Sequence, residues 1–252
     1  MPRFAANLSF LFKEHPFIER FAAALEAGFN AVEVLFPYDT PGSEIREVLS
    51  ITGQKLVLMN TPPPNWTGGA RGFAALPGGG ERLQHDFRRA LRYAQALKST
   101  HLHLLAGVAD GPQARQTYID NLKWACDFAP DQSLTIEPIA PADVDGYFLN
   151  SFDLAMDILD AVNAPNLGLQ FDAYQAHLLT GDVISAWAAY GHRARHVQVA
   201  GADGRHEPTK GGIDYPLFFK RLDSDGYDGY VGAEYHPKKE TIKGLSWLRE
   251  TC

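Results

Sequence analysis

Four oxygen-bearing side chains in the second half of the chain lie within or at the end of short apolar segments. Glu137 lies in LTIEPI, Asp172 ends LGLQFD, Gln198 lies in RHVQVAG, and Glu234 lies in YVGAEY. They are 35, 26 and 36 residues apart, so they recur at similar intervals. A carboxylate in so apolar a segment is almost never buried without a partner. Each residue alone would be typical of hydrogen-bonded structure, whereas the set of four predicts a shared site.

The chemistry of these side chains favours a metal ion. Three carboxylates that converge within a few ångströms repel one another, and each raises the pKa of the others. A divalent cation removes that conflict, and ligands that are all oxygen suit Mg²⁺ or Mn²⁺ better than Zn²⁺. We therefore expect the site to bind a divalent metal ion through Glu137, Asp172, Gln198 and Glu234.

Two glutamates on opposite sides of a substrate suggest proton transfer at carbon. The metal would polarise a carbonyl and stabilise an enediolate, while one carboxylate removes a proton and the other returns it. This is the chemistry of aldose–ketose isomerases and of epimerases. A hydrolase would use the same metal to activate water, so the residues alone leave the reaction class open.

The elements that position these side chains follow a regular alternation. Eight short apolar segments occur along the chain, and segments with helical periodicity such as ERLQHDFRRALRYAQALK follow them. Eight such units in 252 residues predict an α/β fold, a single (β/α)8 TIM barrel over residues 1–252, in which the strand ends converge on one pocket. An open doubly wound sheet is the alternative, but ANLSFLFKEHP lacks its glycine-rich turn. The predicted strands are 4–8, 31–36, 55–60, 101–107, 134–139, 167–172, 195–201 and 230–235.

The charge and the cysteine content indicate where the protein is located and which classes of partner it could bind. The net charge of −7 argues against a nucleic-acid partner, although a few local arginines could hold a small anionic substrate. The two cysteines, Cys126 and Cys252, exclude a disulfide framework, and no segment is typical of a signal peptide or a membrane span. We therefore expect a cytoplasmic protein without a membrane partner. Barrels of this kind often associate through their helices, so a homo-oligomer is left open.

One long irregular segment, TPPPNWTGGARGFAALPGGG at 61–80, follows the third predicted strand. Long loops inside compact domains are often lids or binding loops, and this one lies at the end of the barrel that carries the site. Trp66, Arg71 and Phe73 could close over a substrate. The alternative is an insertion without a functional role, although three consecutive prolines limit its flexibility.

Several motifs together resemble the hydroxypyruvate isomerase family, within the xylose isomerase-like TIM barrels. The resemblance covers nearly the whole chain, and its most specific part is the combination of IEP, HVQVA, GRHEP and EYHP at these separations. It implies interconversion of hydroxypyruvate and tartronate semialdehyde. Related enzymes isomerise 2-oxo-tetronates, which are one carbon longer, while more distant ones epimerise ketoses or cleave DNA at abasic sites.

The resemblance also assigns roles to individual residues. Glu137, Asp172, Gln198 and Glu234 match the metal-binding positions of the family, and Glu137 and Glu234 also match its proton donor and acceptor. Arg205 in GRHEP matches a position that holds the polar end of the substrate, and a guanidinium is well shaped for a carboxylate. We expect the nearby Glu207 to orient Arg205. The alternative for Arg205 is a solvated charge in a loop.

Two motifs differ from the family pattern. The family commonly has Asp-x-Tyr-His-x-Gln after the sixth strand, whereas DAYQAH has Gln175 and His177 in exchanged order. Gln175 could hydrogen-bond to the substrate but cannot carry a proton near neutral pH, so the exchange concerns the substrate more than the reaction class. His177 could also reach back to the site. In EYHP, His236 stands where relatives often have Lys.

For other polar residues in the predicted strands, the sequence gives weaker evidence of a functional role. His101 and His103 share one strand face, and we expect them to be packed, hydrogen-bonded residues rather than a metal pair. His196 shares a face with Gln198, so it could support the site from behind. Glu33 and Asn60 are placed to contact the substrate, and a purely structural role is the alternative for each.

Overall fold

Eight parallel strands close into a barrel in the order of the chain, from β1 to β8. The computed structural model describes residues 2–62, 72–209 and 211–250, without the side chains of 249 and 250. The strands are β1 (Arg3–Asn7), β2 (Ala31–Glu33), β3 (Lys55–Asn60), β4 (His101–His103), β5 (Ser133–Ile136), β6 (Leu167–Asp172), β7 (Ala194–Val199) and β8 (Tyr230–Ala233). The predicted TIM barrel is therefore confirmed, and each predicted strand has its counterpart.

Helices surround the barrel and connect its strands. They are α1 (Glu19–Glu26), α2 (Gly42–Thr52), α3 (Gly80–Leu97), α4 (Gly111–Phe128), α5 (Phe152–Val162), α6 (Ala173–Thr180), α7 (Val183–Tyr190), α8 (Tyr215–Ser224) and α9 (Ser246–Glu250), with short 3-10 helices at Gly191–Arg193 and Thr241–Gly244. Within the described ranges, none of the helices has the length and apolar character needed to cross a membrane.

Several strands end earlier than their apolar segments predicted, and this places two of the four site residues. β5 ends at Ile136 and β8 ends at Ala233, so Glu137 and Glu234 each follow a strand by one residue. Pro138 has no backbone N–H and cannot continue the hydrogen-bond ladder of β5. The Glu234 amide still donates to the Val199 carbonyl at 3.1 Å. Both glutamates therefore lie immediately after the last residue of their strands.

The strands direct apolar and polar side chains to opposite faces. Ile136, Leu169 and Val197 are fully buried in the main apolar core, which the strands and helices form together. Alternate residues on the same strands point to the other face, into the barrel. Those interior positions carry polar side chains at four neighbouring strands, namely His101, His103, Thr135, Gln170, Asp172, His196 and Gln198. Such a polar interior requires partners for each group, and it is the setting of the candidate site.

Part of the predicted lid is packed against the barrel. Gly72 forms an antiparallel bridge with Ala106, and the Ala74 carbonyl accepts a 2.8 Å hydrogen bond from Asn121 Nδ2. Phe73 lies beneath the Arg82 guanidinium, 5.5 Å from it, so its ring contacts α3. Trp66 and Arg71, the other two residues of the predicted lid, lie outside the described residues.

Candidate active site

The four predicted site residues lie in one hydrogen-bonded network at the carboxyl ends of β5 to β8. Gln170 Nε2 donates to Glu137 Oε2 at 3.0 Å and to Gln198 Oε1 at 2.7 Å. Gln198 Nε2 in turn donates to Glu234 Oε2. All four are buried, with at most 7% of any residue exposed. The structure therefore brings together side chains that are 97 residues apart in the sequence.

Arg205 connects the remaining carboxylate to this network. Its Nη2 donates to Glu234 Oε1 at 2.8 Å and to Asp172 Oδ2 at 3.4 Å. Its Nη1 lies 3.5 Å from Asp143 Oδ2. Burial alone would lower the pKa of Arg205, but Glu234, Asp172, Glu137 and Asp143 together raise it above its ordinary value. Four carboxylates thus surround one guanidinium, and the role of Arg205 in binding an acid stays a prediction.

The backbone holds Arg205 in an unusual conformation. Its φ is 55°, in the left-handed region that residues other than glycine rarely adopt. Its carbonyl accepts a 2.8 Å hydrogen bond from the His236 amide, which fixes the loop to the segment after β8. Non-glycine residues in this region often occur at functional sites, where the surrounding structure compensates for the strain.

Asp172 has two structural roles at the end of β6. Its side chain caps α6, because Oδ1 accepts a 2.8 Å hydrogen bond from the Tyr174 amide. Burial raises the pKa of Asp172, while the Arg205 guanidinium and the Tyr174 amide oppose that increase. The capping bond fixes one carboxylate oxygen, and the second oxygen faces Arg205.

A second layer of polar residues lies deeper in the barrel. Glu33 is fully buried, and its Oε1 is 2.5 Å from His196 Nε2. Its Oε2 accepts hydrogen bonds from Gln198 Nε2 at 2.8 Å and from Asn7 Nδ2 at 3.0 Å. Because Glu33 engages the amide nitrogen of Gln198, the amide oxygen points toward Gln170. His196 therefore supports the site from behind, while the predicted substrate contact of Glu33 is replaced by contacts within the protein.

Gly232 on β8 makes room for the Glu33 carboxylate. A methyl group on Gly232 would overlap Glu33 Oε1, whereas the three nearest atoms to one on Gly168 of β6 all belong to the side chain of Arg195. We expect Gly232→Ala to displace Glu33, to leave Gln198 without its fixed orientation, and to lower kcat at least tenfold. The matched variant Gly168→Ala should retain activity, since the Arg195 side chain can move. Steady-state kinetics with a thermal melt of each variant measures both effects, and equal activities would contradict this account.

Gln175 is used to position a loop. Its Oε1 accepts a 2.7 Å hydrogen bond from the Ala140 amide, and its Nε2 donates to Asp143 Oδ2 at 2.7 Å. Tyr174 also donates to Asp143, through its hydroxyl at 3.2 Å. Both ends of the Gln175 amide are therefore occupied by the loop after β5, and its contact with the substrate stays a prediction. His177 lies farther along α6, with its ring beside Gly212.

Glu207, which we expected to orient Arg205, makes its hydrogen bond with the segment after β8 instead. Glu207 Oε1 accepts a 3.0 Å hydrogen bond from the Lys238 amide, and its side chain packs against Gly244. The hydrogen bond from Lys238 holds one oxygen of this carboxylate in the segment after β8, and no ion pair with Arg205 is formed among the described residues. Asp143, Asp172 and Glu234 orient Arg205 instead.

The two histidines of β4 have different surroundings. His101 is packed and hydrogen-bonded as predicted, with Nδ1 2.9 Å from Ser133 Oγ. His103 is buried, but neither ring nitrogen has a hydrogen-bond partner among the described residues, and Nδ1 is 3.8 Å from Glu137 Oε2. Burial lowers the pKa of His103 to about 3, so the ring is neutral beside Glu137. Asn60 Oδ1 at the end of β3 likewise has no partner within the described chain.

Three functional neighbours were missed by sequence reasoning. Gln170 lies two residues before Asp172 on the same strand face, so strand periodicity could have found it. Asn7 at the end of β1 reaches Glu33 and, at 3.4 Å, Glu234. Asp143 lies in a loop, and no periodic pattern predicts where a loop carboxylate points.

The donor set of the site fits a divalent cation by its chemistry. Glu137, Asp143, Asp172 and Glu234 outnumber the one guanidinium, and the Gln198 amide adds a neutral oxygen. Three of these carboxylates are buried and Asp143 is exposed, and a hard cation stabilises such excess negative charge. Among the described residues, no three His, Cys, Asp or Glu side chains already surround a point where an ion could bind. The Arg205 Nη2 group lies between Asp172 and Glu234.

Comparison with known proteins relates the chain to sugar-acid isomerases. The family model for the xylose isomerase-like TIM barrel matches residues 21–251. The 2-oxo-tetronate isomerase of Cupriavidus necator is 43% identical, with 99% of this chain and 98% of that protein covered. The hydroxypyruvate isomerase of Escherichia coli is 35% identical, with 98% of each chain covered.

A solved structure shows the same fold over the full length. The crystal structure from Brucella melitensis named AP endonuclease, family 2 superposes with a TM-score of 0.96 at 40% identity, and 99% of each chain is covered. The isomerase relatives and the family model agree with the resemblance that the motifs showed. The chain belongs to the xylose isomerase-like TIM barrel family, together with its hydroxypyruvate and 2-oxo-tetronate isomerases.

Proposed function

We propose that this chain interconverts a small 2-oxo acid bearing a neighbouring hydroxyl with its carbonyl-shifted isomer, through an enediolate. The observation that carries the proposal is the position of Arg205, which faces Glu137 and Glu234 and contacts the second directly. A substrate carboxylate bound by this guanidinium would hold the adjacent carbons near both glutamates. Two bases beside one acid-binding group suit proton transfer at carbon.

The proposed reaction removes a proton from one carbon and adds a different proton to the neighbouring carbon, with no net redox change. In the three-carbon case, one glutamate takes a proton from C3 of hydroxypyruvate, and the electron pair forms the C2–C3 double bond of the enediolate. The other glutamate, which starts the cycle protonated, then donates its proton to C2, while the oxygen proton moves from O3 to O2. The product is tartronate semialdehyde, and each glutamate is restored by exchange with solvent.

The surrounding residues assist this transfer by holding the two bases in place. Gln170 positions Glu137, while Gln198, Asn7 and Arg205 fix both oxygens of Glu234. Glu137 and Glu234 have 7% exposure each, so little water reaches the carboxylates.

We further propose that Glu137, Asp172, Gln198 and Glu234 hold a divalent cation, Mg²⁺ or Mn²⁺. When bound, it supplies positive charge that polarises the substrate carbonyl and stabilises the enediolate. The excess of carboxylates over guanidinium supports this proposal. The contacts of Arg205 with Asp172 and Glu234 imply that the ion and the guanidinium share these two carboxylates.

Removal of metal tests the cation directly. After dialysis against a chelator, we expect the protein to retain its fold and to lose at least 90% of its turnover, an order-of-magnitude expectation for loss of charge stabilisation at the enediolate. Mn²⁺ or Mg²⁺ should restore activity and Ca²⁺ much less, because its larger, more flexible coordination fits the site poorly. Full turnover in chelator would contradict the cation.

The relatives favour a four-carbon acid as the substrate. The match to the 2-oxo-tetronate isomerase is stronger than the match to the hydroxypyruvate isomerase, whereas the motifs alone pointed to hydroxypyruvate. Turnover of 2-oxo-tetronate, hydroxypyruvate and an uncharged ketose should be compared at equal metal concentration. We expect kcat/KM to be highest for 2-oxo-tetronate and lowest for the ketose, which cannot pair with Arg205.

The same screen separates the rival reactions. Isomerisation of the ketose ahead of both acids would indicate a ketose 3-epimerase. A DNA duplex with an abasic site should stay intact, since the site holds a carboxylate network and the chain carries a net charge of −7. Cleavage of that duplex without turnover of either acid would overturn the proposed function.

A further inference from the structure

A cavity of about 390 Å³ lies outside the barrel between α2 and α3. Its lining comes from the first half of α2 and the second half of α3, namely Gly42, Ser43, Arg46, Arg89, Arg92, Tyr93 and Ala96. None of these residues belongs to the candidate active site. The volume is within the range of pockets that bind small molecules.

The charge of this cavity is opposite to that of the chain. Three of its lining residues are arginines and, among the described residues, none is acidic, although the chain carries 30 acidic and 23 basic side chains. Arg46 and Arg92 have exposed side chains, and the described parts of the chain provide no hydrogen-bond or ion-pair partner for either. An anion bound between these guanidinium groups would offset the repulsion among their like charges.

The third arginine is held in a fixed position. Arg89 Nη2 donates to the Tyr38 carbonyl at 3.1 Å, and its guanidinium lies 5.3 Å from the centre of the Tyr38 ring. The Tyr38 hydroxyl is anchored to the Asn60 carbonyl at 2.5 Å. Tyr93 packs edge-on against Tyr38 and lies 3.3 Å from the Thr40 carbonyl. One wall of the cavity is therefore set before any ligand arrives, which lowers the entropy cost of binding.

The start of α2 adds uncharged donors to the same cavity. The first amides of a helix have no acceptor within the helix, and the N-cap residue Pro41 offers no side-chain oxygen to satisfy them. The amides of Gly42 and Ser43 are at this position, and the Ser43 hydroxyl is a further donor. Partial positive charge at a helix N-terminus favours anions and adds to the charge of the arginines.

We propose that this cavity binds a small phosphorylated anion, such as a compound that carries a diphosphate group. A carboxylate has two oxygens and one charge, too few for three guanidinium groups and two amides. A diphosphate carries about three negative charges near neutral pH and presents several oxygens to forked arginine donors. The arginines on α2 and α3 would grip its phosphoryl groups from both sides.

The test measures binding of inorganic pyrophosphate to the full chain by calorimetry, in chelator and without added metal. We expect saturable one-to-one binding by the natural sequence and at least tenfold weaker binding by the double variant Arg46→Ala/Arg92→Ala. Both side chains are exposed, so the double variant should melt like the parent when no ligand is present. Arg115→Ala on α4 removes an exposed arginine elsewhere and should bind like the parent.

Three outcomes would overturn the proposal. The natural sequence could show no saturable binding at millimolar pyrophosphate. The double variant could bind as tightly as the parent, which would place the anion elsewhere, for example at Arg205. Finally, Arg115→Ala could weaken binding as much as the double variant does, which would indicate a general effect of charge.

Discussion

The Glu137→Gln variant is expected to lose roughly 10²- to 10⁴-fold of kcat, the usual contribution of a positioned general acid or base. Glutamine has nearly the shape of glutamate, and its amide oxygen can still accept the hydrogen bond from Gln170. The fold and the network should therefore survive while the proton acceptor is lost. Turnover and a thermal melt of the same sample separate the two effects. The exposed Glu26 on α1 provides the control, since Glu26→Gln removes one carboxylate far from the site.

The Glu234→Gln variant should distinguish the roles of the two glutamates. If the two glutamates act on different carbons, one variant should still exchange the substrate C–H proton with deuterium from solvent although it forms no product. The other variant should lose both exchange and turnover. Undiminished exchange and turnover in Glu137→Gln would exclude it as a proton carrier.

Arg205→Gln is expected to have the second-largest effect, with kcat/KM reduced by roughly 30-fold or more. Loss of a buried, hydrogen-bonded charge costs about 2–5 kcal/mol, and each 1.4 kcal/mol is about a factor of ten. The carboxylates of Asp172 and Glu234 would lose their counter-charge and repel an anionic substrate. Steady-state kinetics should show the loss mainly in KM, because the variant retains both proposed bases.

Arg205→Lys and an uncharged substrate complete this test. Lysine restores the charge but not the fork that contacts two carboxylates, so we expect a smaller loss than with glutamine. An uncharged ketose should be affected far less by either substitution than the oxo acid. Equal losses for acid and ketose would show that Arg205 maintains the site without binding the acid.

The barrel and the central residues of the site could be predicted from the sequence. Both depend on the pattern of apolar residues within single strands and on which polar residues lie at the strand ends. The segments of β3 and β6 match their predicted bounds, since apolar residues mark a strand that is buried on both faces. Asp172 and Gln198 are neighbours in the β6–β7 register, as the rule that parallel strands end together requires. Position at a strand end was therefore enough to place these residues.

Contacts made by loops could not be predicted in this way. Glu207 bonds to the Lys238 amide, and Gln175 bonds to Ala140 and Asp143, so long-range packing decides where each side chain points. The left-handed backbone of Arg205 has no marker in the sequence either, because glycine is the usual residue there. The positions of residues on loops thus required the structure, even where their types were informative.

The fate of the transferred hydrogen is the most direct test of two-glutamate isomerisation. The protein should be incubated with 2-oxo-tetronate or hydroxypyruvate in D₂O with Mn²⁺ or Mg²⁺, and the product identified by mass and NMR. Two separate bases that exchange with solvent predict an isomer with deuterium at the carbon that receives the proton. An isomer that retains the original hydrogen there would contradict two exchanging bases, since hydride transfer or a single shielded base would account for it. The absence of any isomer would contradict the proposed reaction itself.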